Sequence, residues 1–184
     1  MFKKLIGIVG ASIMLLGVLV LTACDEMEEW ILLDTNRCCN EFEQTKDYAE
    51  NFAKSVIAYN EAITHFTTSD GKFTEDFGGV FVDGNGIHNI CVVGNREPIR
   101  SDFLIYRQVN NSRNFLDSVV DEIGQVMQEY LVWAVKTCES CNSVIVCIES
   151  ESKIPLLIAH LKISNLFSVG TMKFFVGENN IVLS

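Results

Sequence analysis

Beyond Cys24 the sequence has no apolar run long enough to cross a bilayer. Its hydrophobic stretches there are short and broken by charge, whereas a spanning helix needs about 20 apolar residues. Cations are scarce as well: the 184 residues hold 14 Lys+Arg against 24 Asp+Glu, and Lys3 and Lys4 precede residue 24. The remainder therefore carries 12 cations against 24 anions. That balance excludes general nucleic-acid binding and charge-driven adhesion to anionic lipid. Internal repeats and low-complexity segments are absent. The three histidines lie in separate segments, and no second ligand pair stands at zinc spacing, so neither a metal site nor a cofactor is expected.

What is present begins with the leader. Lys3 and Lys4 give a positive start, and Leu5 to Leu21 follow without a charge. Gly7, Gly10, Ala11, Ser12 and Gly17 weaken this run as a permanent anchor helix. The flanks read instead as an export signal, a basic n-region before an apolar h-region and small residues at a cleavage point. The run ends in Leu21-Thr22-Ala23-Cys24. This resembles the lipobox of bacterial lipoproteins, an aliphatic residue, two small residues and a cysteine. The resemblance implies a diacylglyceryl group on Cys24 and cleavage between Ala23 and Cys24. Two acyl chains hold a protein at a membrane where one gives only marginal binding.

Residues 24–40 start with Asp25, Glu26, Glu28 and Glu29 and read as an acidic tether; residues 41–184 read as a single α+β domain. Over 41–66, Ala49, Phe52, Ala53, Val56, Tyr59, Ile63 and Phe66 fall on one helical face. Residues 77–94 change period, with two β-rich runs around Asp83-Gly84-Asn85-Gly86, a hairpin signal. Residues 103–109 read as a further strand. Asn110, Asn111 or Ser112 caps the next helix, where Phe115, Leu116, Val119, Val120, Ile123, Val126, Met127 and Tyr130 repeat at helical spacing. Residues 131–137 and 143–149 flank a polar turn, a second hairpin. Pro155 suits the first turn of a helix reaching about Asn165, and 172–177 reads as a closing strand. The predicted architecture is a mainly antiparallel sheet of two hairpins plus extra strands, with helices packed on one face, behind an N-terminal signal helix.

The segment FGGVFVDGNGIHNICVVG is also similar to the first hairpin of pro-regions in secreted bacterial chymotrypsin-like proteases. The similarity extends over residues 73–177 and implies a module of that shape. No Gly-Asp-Ser-Gly segment is present, so it does not imply protease activity.

Six cysteines accompany Cys24: Cys38, Cys39, Cys91, Cys138, Cys141 and Cys147. Six allow 15 pairings, and spacing alone does not choose among them. Cys138-Glu139-Ser140-Cys141 is the sharpest motif. A redox pair needs its first thiol at a helix N-terminus, and these flanks are β-rich, which puts the motif at a hairpin tip. Incidental thiols, a structural disulfide and redox chemistry all stay open there. Cys91 and Cys147 sit in apolar strands as small core residues. His65, His88 and His160 suggest satisfied side chains rather than a catalytic triad. Asp83 and Asn85 suggest turn chemistry rather than calcium. Arg96, Arg100, Arg107 and Arg113 form a local cationic stretch, a candidate anion patch or a solvated face.

These features point to a non-enzymatic lipoprotein on the extracytoplasmic face of a bacterial cell membrane. Its partners would be the bilayer, through diacylglyceryl-Cys24, and a protein or envelope component. The alternative is an extracytoplasmic thiol–disulfide protein using Cys138 and Cys141.

Overall fold

The computed structural model describes residues 31–32, 43–98 and 101–177. Residues 31–184 belong to one compact unit, and its class is α+β. The elements are β1 (Ile31–Leu32), α1 (Tyr48–Ile63), β2 (Phe77–Val82), β3 (His88–Val93), β4 (Leu104–Val109), α2 (Arg113–Tyr130), β5 (Val132–Cys138), β6 (Ser143–Ile148), α3 (Ile154–Ile163) and β7 (Met172–Val176). No helix among the described residues is long and apolar enough to cross a membrane. The leader and Cys24 lie outside the described residues.

Both expected hairpins form, β2 with β3 and β5 with β6, each antiparallel. They do not share a sheet. One sheet has the order β2-β3-β4 and the other β1-β7-β6-β5. The third strand of each runs parallel to the second strand of its hairpin, β4 beside β3 and β7 beside β6. This departs from a mainly antiparallel sheet, and the cause lies in the connections. The connection between β3 and β4 and the crossover through α3 each carry the chain back to its starting end, so the next strand repeats the direction of the last. Helix, hairpin and parallel strand thus occur twice in succession, a repeat of organisation without a repeat of sequence.

Ile31 and Leu32 pair in parallel with Lys173 and Phe174, so β1 is already the edge of a sheet.

Turn chemistry fixes the first half. Asp83 Oδ1 accepts from the Asn85 N–H at 2.9 Å and the Ile87 N–H at 3.1 Å, folding the turn around its own carboxylate. Gly86 has φ +81°, and a Cβ there would stand 2.3 Å from the Tyr48 carbonyl oxygen. Only glycine lets the turn sit against the first turn of α1. The core beneath α1 gathers Ala62, Phe66, Phe77, Ile90, Val92 and Leu104.

In the second half, Ser112 is the residue that caps α2, its Oγ accepting from the Phe115 N–H at 3.2 Å. Leu116, Val119 and Ile123 are fully buried, as the 3.6-residue period requires. α2 packs on β5, β6 and α3 and also touches β2, so it joins the two halves. It ends at Leu131, whose φ of 57° is left-handed and whose N–H reaches the Met127 carbonyl, a position that glycine usually occupies.

Candidate functional site

Of the residues singled out from the sequence, Cys24, Cys38, Cys39 and Arg100 lie outside the described residues. The others can be placed.

The Cys138–Cys141 segment does sit at the tip of the β5–β6 hairpin, and that tip is seated against the first half. Asn142 closes the turn with φ +47°, and its N–H bonds to the Glu139 carbonyl at 3.1 Å. Its side chain then reaches across. Oδ1 accepts from the Asn111 N–H at 2.9 Å, while Nδ2 donates to the Asn111 carbonyl at 2.8 Å and to the Gly78 carbonyl at 3.3 Å. Asn111 Nδ2 returns a bond to the Asn142 carbonyl at 3.1 Å. Both asparagines are buried, so this reciprocal set satisfies groups that water does not reach.

Glu139 lies beside this lock. Its carboxylate accepts from Arg113 Nη1, and Arg113 Nε also bonds both Asp117 oxygens at 2.8 Å. Gly79 leaves the space Glu139 occupies; a Cβ at Gly79 would stand 3.2 Å from Glu139 Cγ. Burial raises the Glu139 carboxyl pKa, and the Arg113 charge partly offsets it. Cys91 lies next to it, 3.8 Å from the Glu139 carbonyl oxygen. Burial pushes the Cys91 thiol up to about 11, so it stays protonated and unreactive.

The two cysteines of the motif are in different states. Cys138 is a half-cystine, while Cys91, Cys141 and Cys147 carry thiols. The Cys138 bond therefore does not run to Cys141. Cys138 and Cys147 pack with Ile145 in an apolar cluster, with Cys141, Trp133 and Phe175 against it.

The histidines occupy three separate settings. His88 is stacked between Tyr59 at 4.8 Å and Phe52 at 5.6 Å, ring centroid to ring centroid. Its Nδ1 lies 2.7 Å from Ser55 Oγ, which also accepts from the His88 N–H at 2.7 Å and stands 2.9 Å from the Phe103 carbonyl oxygen. The hydroxyl has one proton, and a carbonyl can only accept. The arrangement that satisfies every group gives that proton to Phe103 and makes His88 Nδ1–H the donor to Ser55. Ser55 is fully buried and its proton is engaged with the backbone. This fastens α1 to β3 and to the approach to β4 and does not make a nucleophile. Burial holds the His88 pKa below the ordinary histidine range. His160 Nε2 meets Glu122 at 2.7 Å, joining α3 to α2. The His65 carbonyl accepts from Arg96 at 2.8 Å.

The arginines are drawn into separate internal contacts. Arg96 pairs with Asp76 and lies 4.2 Å over the Phe66 ring. Arg107 donates to Asn89 Oδ1 at 2.6 Å and lies 5.6 Å over Phe81. Arg113 is committed to Asp117 and Glu139. Asp83, besides folding its turn, accepts from Asn89 Nδ2 at 3.3 Å. No group of three His, Cys, Asp or Glu among the described residues could hold a metal ion.

A feature that periodicity does not reveal is an open groove of about 1030 Å³ where the end of α2 meets β5. Val126, Met127, Leu131, Val132 and Trp133 supply its apolar lining, and Gln125, Gln128, Glu129 and Glu149 its polar one. Trp133 Nε1 donates to the Gly177 carbonyl at 3.0 Å, which fixes the indole. Leu131, in its left-handed conformation, is 39% exposed.

A scan against family models finds no match to this chain, and a search of the curated proteins finds no relative.

Proposed function

We propose that the protein is a lipoprotein anchored through diacylglyceryl-Cys24 to the extracytoplasmic face of a bacterial cell membrane, and that it acts by binding a protein or envelope component rather than by catalysis. The observation that carries this reading is the ordered set of basic start, uncharged apolar run and Leu21-Thr22-Ala23-Cys24. The interaction role has support from the placement of chemically active groups. Ser55, His88, His160, Glu122, Glu139 and Arg113 all hold parts of the fold together. The groove at the α2–β5 corner offers the partner a mixed apolar and polar wall around an oriented Trp133. The thiol–disulfide reading has less support, since Cys138 and Cys141 do not form a couple and their turn is bonded into the fold.

Labelling cells with a tagged palmitate tests the anchor. The parent should take up label and fractionate with membranes; Cys24→Ala should take up none. Equal labelling of the two would end the reading.

A further inference from the structure

We infer that Cys138 is joined by a disulfide to one of the adjacent pair Cys38 and Cys39, a bond introduced by an extracytoplasmic disulfide donor. This rests on lipidation at Cys24 in one step only, the removal of that cysteine as a partner.

Cys138 is a half-cystine, so one other sulfur is bonded to it. The chain has 7 cysteines. Cys91, Cys141 and Cys147 carry thiols, which leaves Cys24, Cys38 and Cys39. A diacylglyceryl group holds the Cys24 sulfur as a thioether, which has no S–H to oxidise. Cys38 and Cys39 remain, and Cys138 takes one of them.

Chain reach permits either choice. Leu32 pairs with Phe174, Phe174 with Val146 and Val146 with Val135, one row across the four-stranded sheet. Neighbouring strands stand about 4.8 Å apart, so the row spans about 14 Å, and Cys138 lies about 10 Å further along β5. Six residues carry the chain from Leu32 to Cys38 and seven to Cys39, a reach of up to about 20–25 Å. The Cα atoms of a disulfide stand about 4.4–6.8 Å apart, so the link has slack. Beyond the pair, the Thr45 N–H bonds the Gly84 carbonyl at 2.9 Å and ties the chain to the first half. The bond therefore fastens the connection between β1 and α1 to the hairpin tip that carries Asn142. It closes a ring of about 100 residues, a length at which the restraint on the unfolded chain is large.

The bond forms by two exchanges. The Cys138 thiolate attacks one sulfur of the donor disulfide, giving a mixed disulfide and one donor thiolate. The thiolate of Cys38 or Cys39 then attacks the Cys138 sulfur and displaces the second. Two protein thiols lose two protons and two electrons, and the donor disulfide becomes two thiols. Cys138 is 2% exposed and packs with Ile145 and Cys147, which shields the bond from soluble reductant in the folded chain. Disulfides persist outside the reducing cytosol, so this bond suits the exported location proposed above.

The test maps the bond in the full-length protein extracted from membranes. The protein is alkylated in denaturant at low pH without reductant and cleaved after glutamate, so that Cys138 and Cys141 part at Glu139. A peptide holding Cys138 should be found linked to the peptide holding Cys38 and Cys39, and reduction should separate them with a gain of two hydrogens. Cys138 recovered alkylated, linked to Cys141 or linked to a second copy of the chain would overturn the inference. Cys138 linked to Cys24 would overturn it together with the anchor. The expected link in a chain whose Cys24 carries no lipid would overturn the anchor alone.

Discussion

Replacing Asn142 by alanine should be among the most damaging single changes outside the apolar core. The side chain accepts one bond from the Asn111 N–H and donates two, to the carbonyls of Asn111 and Gly78. Deletion leaves the Asn111 N–H buried without its acceptor, a loss of about 1–3 kcal/mol. The backbone adds to this: φ is +47°, and an ordinary side chain there costs about 1–2 kcal/mol. The sum is about 2–5 kcal/mol, a large share of the roughly 5–15 kcal/mol that holds a domain together. Asn142→Gly separates the two parts. It loses the same bonds but tolerates the backbone, so it should cost about 1 kcal/mol less than alanine. Urea unfolding at constant m gives both values. A loss below about 1 kcal/mol for Asn142→Ala would refute the lock. Equal losses for alanine and glycine would refute the backbone share of the argument.

Three further outcomes follow from the packing. Val119 is fully buried, so Val119→Asp should cost several kcal/mol, whereas Ser118→Asp on the exposed face of α2 should change little; matched urea midpoints would show that α2 is not docked through this face. Burial lowers the His88 pKa in the folded chain, so between that value and about 6.5 the unfolded chain binds more protons. Stability should therefore fall as pH drops through this window, and subtracting the His88→Gln curve should remove that component; an unchanged pH slope would contradict the buried pairing with Ser55. Alkylation in denaturant without reductant should modify Cys91, Cys141 and Cys147 and spare Cys138, as read by peptide mass. Modification of Cys138 would remove the half-cystine assignment.

Local pattern carried much of the fold. The 3.6-residue period over α2 marked Leu116, Val119 and Ile123 as buried before any contact was known. Asp83-Gly84-Asn85-Gly86 located a turn because its side chains and glycine supply the bonds and the positive φ themselves. The pairing of β4 beside β3 was not legible, because residues 103–109 announce a strand without naming its neighbour or direction. Ile31–Leu32 lacked a signal because two residues set no period; their partners lie about 140 positions away in β7. The same holds for the site residues. The bonds of Asn142 span 31 and 64 positions and those between Ser55 and His88 span 33, so each polar group looked unremarkable in its own segment. The four arginines read as one patch along the chain, while the fold gives Arg96, Arg107 and Arg113 different partners.

The central claim is anchorage at Cys24, and intact mass spectrometry of the protein extracted from membranes addresses it most directly. The account predicts a chain that begins at Cys24, lacks residues 1–23 and carries the added mass of a diacylglyceryl group on that cysteine. A chain recovered with residues 1–23 in place, or one beginning at Cys24 without added lipid, would contradict it.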